Sequence, residues 1–266
     1  MLLEFIAQTL NSTGDFPFSI ILWSILILAT AAFIQATVGF AAALFGLPLL
    51  LWVGIDLMTS QVLIITAMLP QNMFAVWKLR HSIDYREIVF PATIRIGALP
   101  IGVAGLALVM SWSAESINQF VGLLILLAVI VQSFVDIEWK NADHPFWIIV
   151  TFGSSGILQG ISGMSGPPMV LWVHGRRYSA DRARAFLFAM YISNFIPQIC
   201  LLHYKFGTTV WQAVGVATLS IPFVLASAAL GLRLGSWLGD RWLRPITYVC
   251  LLMLALSSLL DPWLKW

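Results

Sequence analysis

Long apolar runs without charged side chains recur along almost the whole chain, for example at 117–135 and 208–232. A helix needs about 20 mostly apolar residues to cross a bilayer. Lipid offers no hydrogen-bond partners, so only helices or closed barrels span it, and continuous rather than alternating apolarity favours helices. We therefore predict an all-α polytopic membrane protein. The composition agrees, because 60% of the residues are hydrophobic and only 10% are charged.

Two of the predicted segments differ from ordinary spans. The first is too long for one crossing, and both the first and the fifth are interrupted by glycine and polar residues, at 35–39 and 159–168. A helix broken at membrane depth must bury its freed backbone in protein or line a cavity. About eight hydrophobic segments are predicted in all, at roughly 18–52, 57–78, 88–110, 116–136, 146–174, 185–204, 208–232 and 245–260.

The basic residues indicate the topology. Single crossings by all eight segments would divide the loop Lys and Arg residues almost equally between the two sides, which is uncommon. If the fifth segment is instead a re-entrant hairpin, only Lys205 and Lys265 lie outside. The cytoplasm then holds 11 of the 14 Lys and Arg residues, namely Lys78, Arg80, Arg86, Lys140, Arg176, Arg177, Arg182, Arg184, Arg233, Arg241 and Arg244. Whether the first segment spans or re-enters stays open.

The two interrupted segments resemble each other in sequence. A Gln-x3-Gly motif followed by Gly-x-Pro-x3-Trp occurs at Gln35–Trp52 and again at Gln159–Trp172, and Pro-Gln follows in both halves at 70–71 and 197–198. We interpret residues 1–137 and 138–266 as two repeats forming one transport unit. With the hairpin topology these repeats are inverted, and their broken helices meet near the midplane, as in many secondary transporters.

These motifs resemble a known family, the TauE/SafE sulfite exporters, also described as the sulfonate-uptake permease superfamily. The resemblance rests on Val38–Pro48 and Gly160–Pro168, together with chain length and segment count. It implies a multi-pass protein of the bacterial cytoplasmic membrane. The implied function is secondary transport, as an exporter, of a small sulfur-containing anion such as sulfite, sulfoacetate or thiosulfate. The identity of the anion and of any coupling ion stays open, and uptake is the alternative to export.

An anion that leaves water needs fixed hydrogen-bond donors. Helix N-termini supply free N–H groups and a positive dipole end, and Gly166-Pro167-Pro168 is typical of such a terminus. A side chain at Gly163 or Gly166 is expected to block close backbone approach there. Serine hydroxyls and glutamine amides add donors, although such residues also hold helices together. The predicted substrate-binding residues are Gln35, Gly39, Gln71, Asn72, Arg95, Gln159, Ser162, Gly163, Ser165, Gly166, Asn194 and Gln198.

Arg95 is the clearest charge inside a predicted segment, and such a charge is a functional candidate. It could bind an oxyanion through two N–H groups. The alternatives are that it extends to the nearby membrane surface or pairs with a carboxylate. The amides of Gln71 with Asn72, and of Asn194 with Gln198, are explained nearly as well by hydrogen bonding within the core.

Several functions are excluded or kept as alternatives. No Asp or Glu lies in the middle of a segment, and Cys200 and Cys250 lack ligand spacing, so neither a metal nor a cofactor is expected. No HExxH or GxSxG motif is present, so an enzyme is not expected. A net charge of +2 does not suggest nucleic-acid binding. An anion channel with the same cavity is the main alternative, and homo-oligomerisation stays open.

Overall fold

The computed structural model describes residues 17–134, 144–176, 178–238 and 240–264, and these residues form helices and short connections without strands. The all-α prediction is confirmed. The predicted repeat boundary at 137/138 lies outside the described residues, as do Lys140, Arg177 and Lys265. The helices are α1 Phe18–Val38, α2 Ala42–Trp52, α3 Leu57–Lys78, α4 Tyr85–Val109, α5 Ala114–Phe134, α6 Pro145–Ser162, α7 Gly166–Gly175, α8 Ala180–Phe206, α9 Thr209–Leu238 and α10 Asp240–Leu264.

Five helices of the described chain are long and apolar enough to cross a membrane: α1, α4, α5, α8 and α9. Large apolar side chains on them are widely exposed, including Phe18 at 78%, Leu108 at 70% and Ile196 at 71%. Such surfaces need lipid rather than water as solvent. The chain is therefore a multi-pass membrane protein. The count of about eight segments and the inverted repeats remain predictions.

Both predicted helix breaks are present, and they have the same construction. Helix α1 ends before Gly39, whose φ of 91° is left-handed and whose N–H donates to the Gln35 carbonyl oxygen at 2.7 Å. Helix α6 ends in the same way before Gly163, with a φ of 73° and a bond of 2.9 Å to the Gln159 oxygen. Glycine adopts this conformation without the steric cost of a Cβ. The Gln-x3-Gly motif is therefore a helix C-terminal cap in each half.

The first break also contains a strained residue. Ala41, directly before α2, has a φ of 87°, and it is the sole non-glycine residue of the described chain with a positive φ. A side chain disfavours this conformation, which persists where the surrounding structure imposes it and is common at functional sites. The second break has no such residue, so the two breaks share their cap but differ in how the next helix begins.

The chain divides into two compact units, each of which combines helices from both sequence halves. Unit 1 is Met1–Gln71 with Ile199–Thr247, and unit 2 is Asn72–Gln198 with Tyr248–Trp266. These units describe packing, whereas the repeats 1–137 and 138–266 describe sequence relatedness and stay a prediction. In unit 1 the main helix pair is α1 with α9, where a Cβ at Gly231 would lie 2.5 Å from the Phe33 carbonyl oxygen.

In unit 2 the main pair is α4 with α6, and glycine again allows the backbones to touch. A Cβ at Gly160 would lie 2.6 Å from the Gly102 Cα, and one at Gly156 would lie 2.9 Å from the Ala98 Cβ. Gly156 and Gly160 form a GxxxG motif, the small-residue spacing that permits close helix contact in membranes. This contact brings the Gln159 turn of α6 directly against the Arg95 turn of α4.

Candidate functional site

Arg95 lies in the middle of α4 and is fully buried, with 0% of its surface exposed. A Cβ at Gly156 would meet the Arg95 main-chain oxygen, so glycine at this position allows α6 to cover the arginine. Among the buried residues of the described chain, Arg95 is the only charged one. A buried guanidinium is costly unless it is paired or hydrogen-bonded. Its partners therefore define the chemistry of the site.

All hydrogen-bond partners of Arg95 are neutral. Nη1 donates to the Met190 carbonyl oxygen, and Nη2 donates to Gln159 Oε1 at 3.1 Å and to Ser165 Oγ at 2.6 Å. The Arg95 Cζ lies 5.9 Å from the centre of the Tyr191 ring. No carboxylate among the described side chains pairs with it. Arg95 therefore neither extends to a membrane surface nor forms an ion pair, which removes both sequence-based alternatives.

The hydrogen bonds continue beyond Arg95 through two predicted site residues. Gln159 Nε2 donates to Gln198 Oε1 at 2.6 Å, and Gln198 Nε2 donates to the Gln159 carbonyl oxygen at 3.3 Å. Ser155 Oγ donates to the Ser165 carbonyl oxygen at 2.9 Å, which ties the start of α7 to α6. Four predicted residues, Arg95, Gln159, Ser165 and Gln198, thus form one buried network within unit 2.

The same region holds polar atoms without a protein partner. Arg95 Nε is buried and unpaired, and so are both side-chain atoms of Asn194. Tyr191, Asn194 and Gln198 follow one another at helical spacing on α8, so they share one face. Tyr191 faces Arg95 and Gln198 contacts Gln159, which places Asn194 between them along that face. Buried polar atoms without a partner are uncommon in proteins, and an ordered water or a bound ion is one explanation for them.

Helix α7 begins at Gly166, as predicted, but its N-terminus offers fewer donors than expected. Pro167 and Pro168 carry no N–H, so Gly166 and Met169 are the only N–H donors at its start. Ser165 is the N-cap residue without a capping bond to its side chain, because the N2 and N3 positions that would donate are Pro167 and Pro168, and its hydroxyl accepts from Arg95. The positive charge of the site therefore comes from Arg95 more than from the helix end.

The two glycines of the second break differ in their requirements. Gly163 has a positive φ of 73°, which favours glycine. At Gly166 the nearest atom to a Cβ would be the Tyr191 hydroxyl oxygen at 3.4 Å, an ordinary contact. A single methyl group therefore fits at Gly166 within the protein, and the expectation that a side chain there blocks close approach of an anion stays a prediction.

The remaining predicted residues lie elsewhere. Ser162 donates to the Leu158 carbonyl oxygen at 2.9 Å and accepts from the Met164 N–H at 3.4 Å, so it stabilises the turn. Gln35, Gly39 and Gln71 belong to unit 1, where Gln71 Nε2 donates to the Ala32 oxygen at 3.4 Å. Asn72 is buried in α3. That Gln35 and its repeat partner Gln159 approach one anion from two sides stays a prediction.

Sequence reasoning missed Tyr191 and the Met190 carbonyl group as neighbours of Arg95. The sequence did contain a pattern that predicts Tyr191, since it precedes Asn194 and Gln198 by three and seven residues, which places all three on one helix face. A backbone carbonyl acceptor has no sequence signature. It depends on how α8 packs against α4.

A second polar cluster surrounds Glu87, near the start of α4. Its carboxylate accepts from the Tyr178 hydroxyl at 2.7 Å and from Arg182 at 2.9 Å, and it lies 3.4 Å from Arg176. Arg182 and Arg176 also stack on the Tyr178 ring, with Cζ distances of 4.4 and 5.1 Å. Burial raises the pKa of Tyr178, and its hydrogen bond to Glu87 raises it further. This cluster joins the start of α4 to the C-terminus of α7 and the N-terminus of α8.

Other features of the described residues are less suited to an anion. A cavity of about 360 Å³ between α5, α6 and α7 has almost entirely apolar walls, such as Leu124, Leu158 and Pro168. No group of three or more His, Cys, Asp or Glu within the described ranges could hold a metal ion. The Arg95 network is thus the polar site with both a positive charge and unused hydrogen-bonding capacity.

The chain is similar to known proteins over most of its length. The chain is 24% identical over 200 residues to the probable sulfite/organosulfonate exporter TauE of Cupriavidus necator, which covers 71% of this chain and 73% of that protein. No solved structure matches it. The family model of the sulfite exporters TauE/SafE matches residues 24–258, which is most of the chain. The chain therefore belongs to the TauE/SafE sulfite exporter family.

Proposed function

We propose that this protein is a secondary transporter that exports a small sulfur-containing anion, such as sulfite, sulfoacetate or thiosulfate, across the bacterial cytoplasmic membrane. One observation carries the proposal: a fully buried arginine whose partners are all neutral. A buried charge without a counter-ion is unfavourable, and a bound anion would supply the missing partner. Membership of an exporter family makes the protein a transporter rather than an enzyme, and the C. necator relative supports a sulfur-containing substrate.

Enclosure of the site favours a carrier over a channel. Arg95 has no exposed surface, and Gln159, Ser165 and Gln198 around it are at most 4% exposed. A conducting pore needs a continuous water path past its binding site, whereas a carrier closes over its substrate. The broken helices α1–α2 and α6–α7 support the same proposal, since discontinuous helices bind substrates in many secondary transporters.

The inverted-repeat topology is part of the proposal. It requires α6 and α7 to enter and leave on one face, so that the basic loops lie in the cytoplasm. Cysteine labelling at single positions in 79–84 and 176–179 should report the same cytoplasmic side. Labelling of the two loops from opposite faces would mean that the α6–α7 segment spans and that the repeats are not inverted.

Flux measurements in proteoliposomes test the function itself. The purified chain is reconstituted and offered labelled sulfite, with sulfate, thiosulfate, sulfoacetate and chloride as competitors. We expect uptake that saturates and that is accelerated by unlabelled sulfite on the opposite side, which is the property of a carrier. Unitary currents in planar bilayers would identify a channel instead. Movement of a cation and none of these anions would overturn the proposal.

A further inference from the structure

The Arg95 site has one positive charge and no second charge to balance a divalent ligand. The groups that face Arg95 are Gln159 of α6, Ser165 before α7, and the Met190 carbonyl with Tyr191 of α8. Tyr191 is the only titratable group among them. No other charged side chain of the described residues is buried. Binding of a singly charged anion therefore gives a neutral complex, and binding of a doubly charged anion leaves a buried negative charge.

We propose that the site selects singly charged oxyanions and rejects doubly charged ones of the same shape. The inference rests on the proposed function and narrows its substrates. The desolvation cost of an ion grows with the square of its charge, whereas one guanidinium offers a single unit of compensating charge. Neutral donors stabilise an anion but do not change the net charge of the complex.

The unused donors agree with a small oxyanion. Arg95 Nε carries a free N–H, and the Asn194 amide offers two more N–H groups on the face of α8 between Tyr191 and Gln198. The Asn194 amide is neutral, and Arg95 Nε belongs to the single guanidinium of the site, so neither adds a second positive charge. They can bind oxygen atoms of a sulfonate or sulfite group without supplying charge for a second negative group.

For sulfite the inference has a chemical consequence. Sulfite titrates near neutrality between hydrogensulfite, with one negative charge, and the dianion. A site selective for one charge carries hydrogensulfite, so the substrate brings its own proton across the membrane. Thiosulfate and sulfoacetate are dianions at neutral pH and should be poor substrates, whereas singly charged organosulfonates should compete with sulfite.

Methanesulfonate and sulfate provide the matched comparison, because both are tetrahedral at sulfur and they differ by one charge. The full chain in proteoliposomes takes up labelled sulfite at pH 6, 7 and 8 in the presence of either competitor. We expect methanesulfonate to compete at a concentration at least about tenfold below that of sulfate at each pH. The KM for total sulfite should rise with pH, approaching about tenfold per pH unit once the dianion predominates.

Two results overturn the inference while leaving the proposed function intact. One is equal competition by sulfate and methanesulfonate, and the other is a KM for total sulfite that falls as pH rises. Failure of the folded protein to move any of these anions would instead refute the proposed function, and the inference with it. Arg95→Lys is the matched variant, since it keeps the charge but loses the planar donors. It should bind all anions more weakly and keep the preference for one charge.

Discussion

Replacing Gln159 by glutamate should place an internal anion in the proposed site. Gln159 Oε1 already accepts from Arg95 Nη2 at 3.1 Å, so a carboxylate of almost the same shape would pair with the guanidinium from the same position. If Arg95 is the anion-binding group, this pair replaces the substrate. We expect Gln159→Glu to abolish sulfite uptake while the protein remains folded and inserted.

The energetic terms for this substitution partly offset one another. Two unit charges 4 Å apart attract by about 4 kcal/mol at an effective dielectric constant of 20. Burial of the new carboxylate costs several kcal/mol. The substitution also places a carboxylate oxygen against Gln198 Oε1, so the Gln198 amide must turn to donate to it and give up its bond to the residue 159 carbonyl oxygen, at a cost of about 1 to 3 kcal/mol. The Tm in detergent should therefore decrease modestly, whereas transport should be lost.

Gln159→Leu separates the charge effect from simple loss of the glutamine. It leaves an N–H of Arg95 and the amide oxygen of Gln198 without their partner, which costs about 1 to 3 kcal/mol each. Gln159→Leu should be less stable than Gln159→Glu. It should nevertheless retain part of the parental anion binding, because the positive charge of Arg95 stays without a counter-ion. Gln212→Glu in the first turn of α9 is the control, since a carboxylate is tolerated near a helix N-terminus. Sulfite transport by Gln159→Glu at the parental rate would refute the role of Arg95.

Three further changes test other parts of the structure. Gly160→Val should prevent the α4–α6 contact and lower the yield of monodisperse protein. The control is Gly153→Ala, which should leave the yield unchanged because no atom lies within 4 Å of the added Cβ. Equal yields of the two variants would contradict the packing argument. Glu87→Gln should weaken two partly exposed ion pairs, a loss of roughly 0.2 to 1 kcal/mol each, seen as a modest decrease in Tm. Tyr178→Phe should lower Tm equally at about pH 6 and pH 9, because a raised pKa keeps the tyrosine protonated until pH exceeds its ordinary value of about 10. If the difference in Tm between Tyr178→Phe and the parent disappeared between pH 6 and pH 9, Tyr178 would ionise in that range, which would contradict the raised pKa.

The difference between the two helix breaks shows how much of the structure the local sequence predicts. The Gln-x3-Gly motifs predicted both helix ends, because a glycine cap is a local interaction between residues four apart. The start of α7 at Gly166 followed from Pro167 and Pro168 for the same reason. The positive φ of Ala41 was not predictable, since nothing local favours a left-handed alanine and only the surrounding packing imposes it.

The amino-acid sequence by itself determined that the protein lies in a lipid bilayer, that it is all-α, and where its helix breaks are. It could do so because hydropathy and helix capping depend on residues close together in the chain. It also identified Arg95 as unusual, but left three explanations for that charge. Only the tertiary structure removed two of them, extension to the membrane surface and pairing with a carboxylate, since Met190, Gln159 and Ser165 reach Arg95 from 64 to 95 residues away. The GxxxG contact between α4 and α6 closes this distance, and the buried charge without a carboxylate follows from how the helices pack.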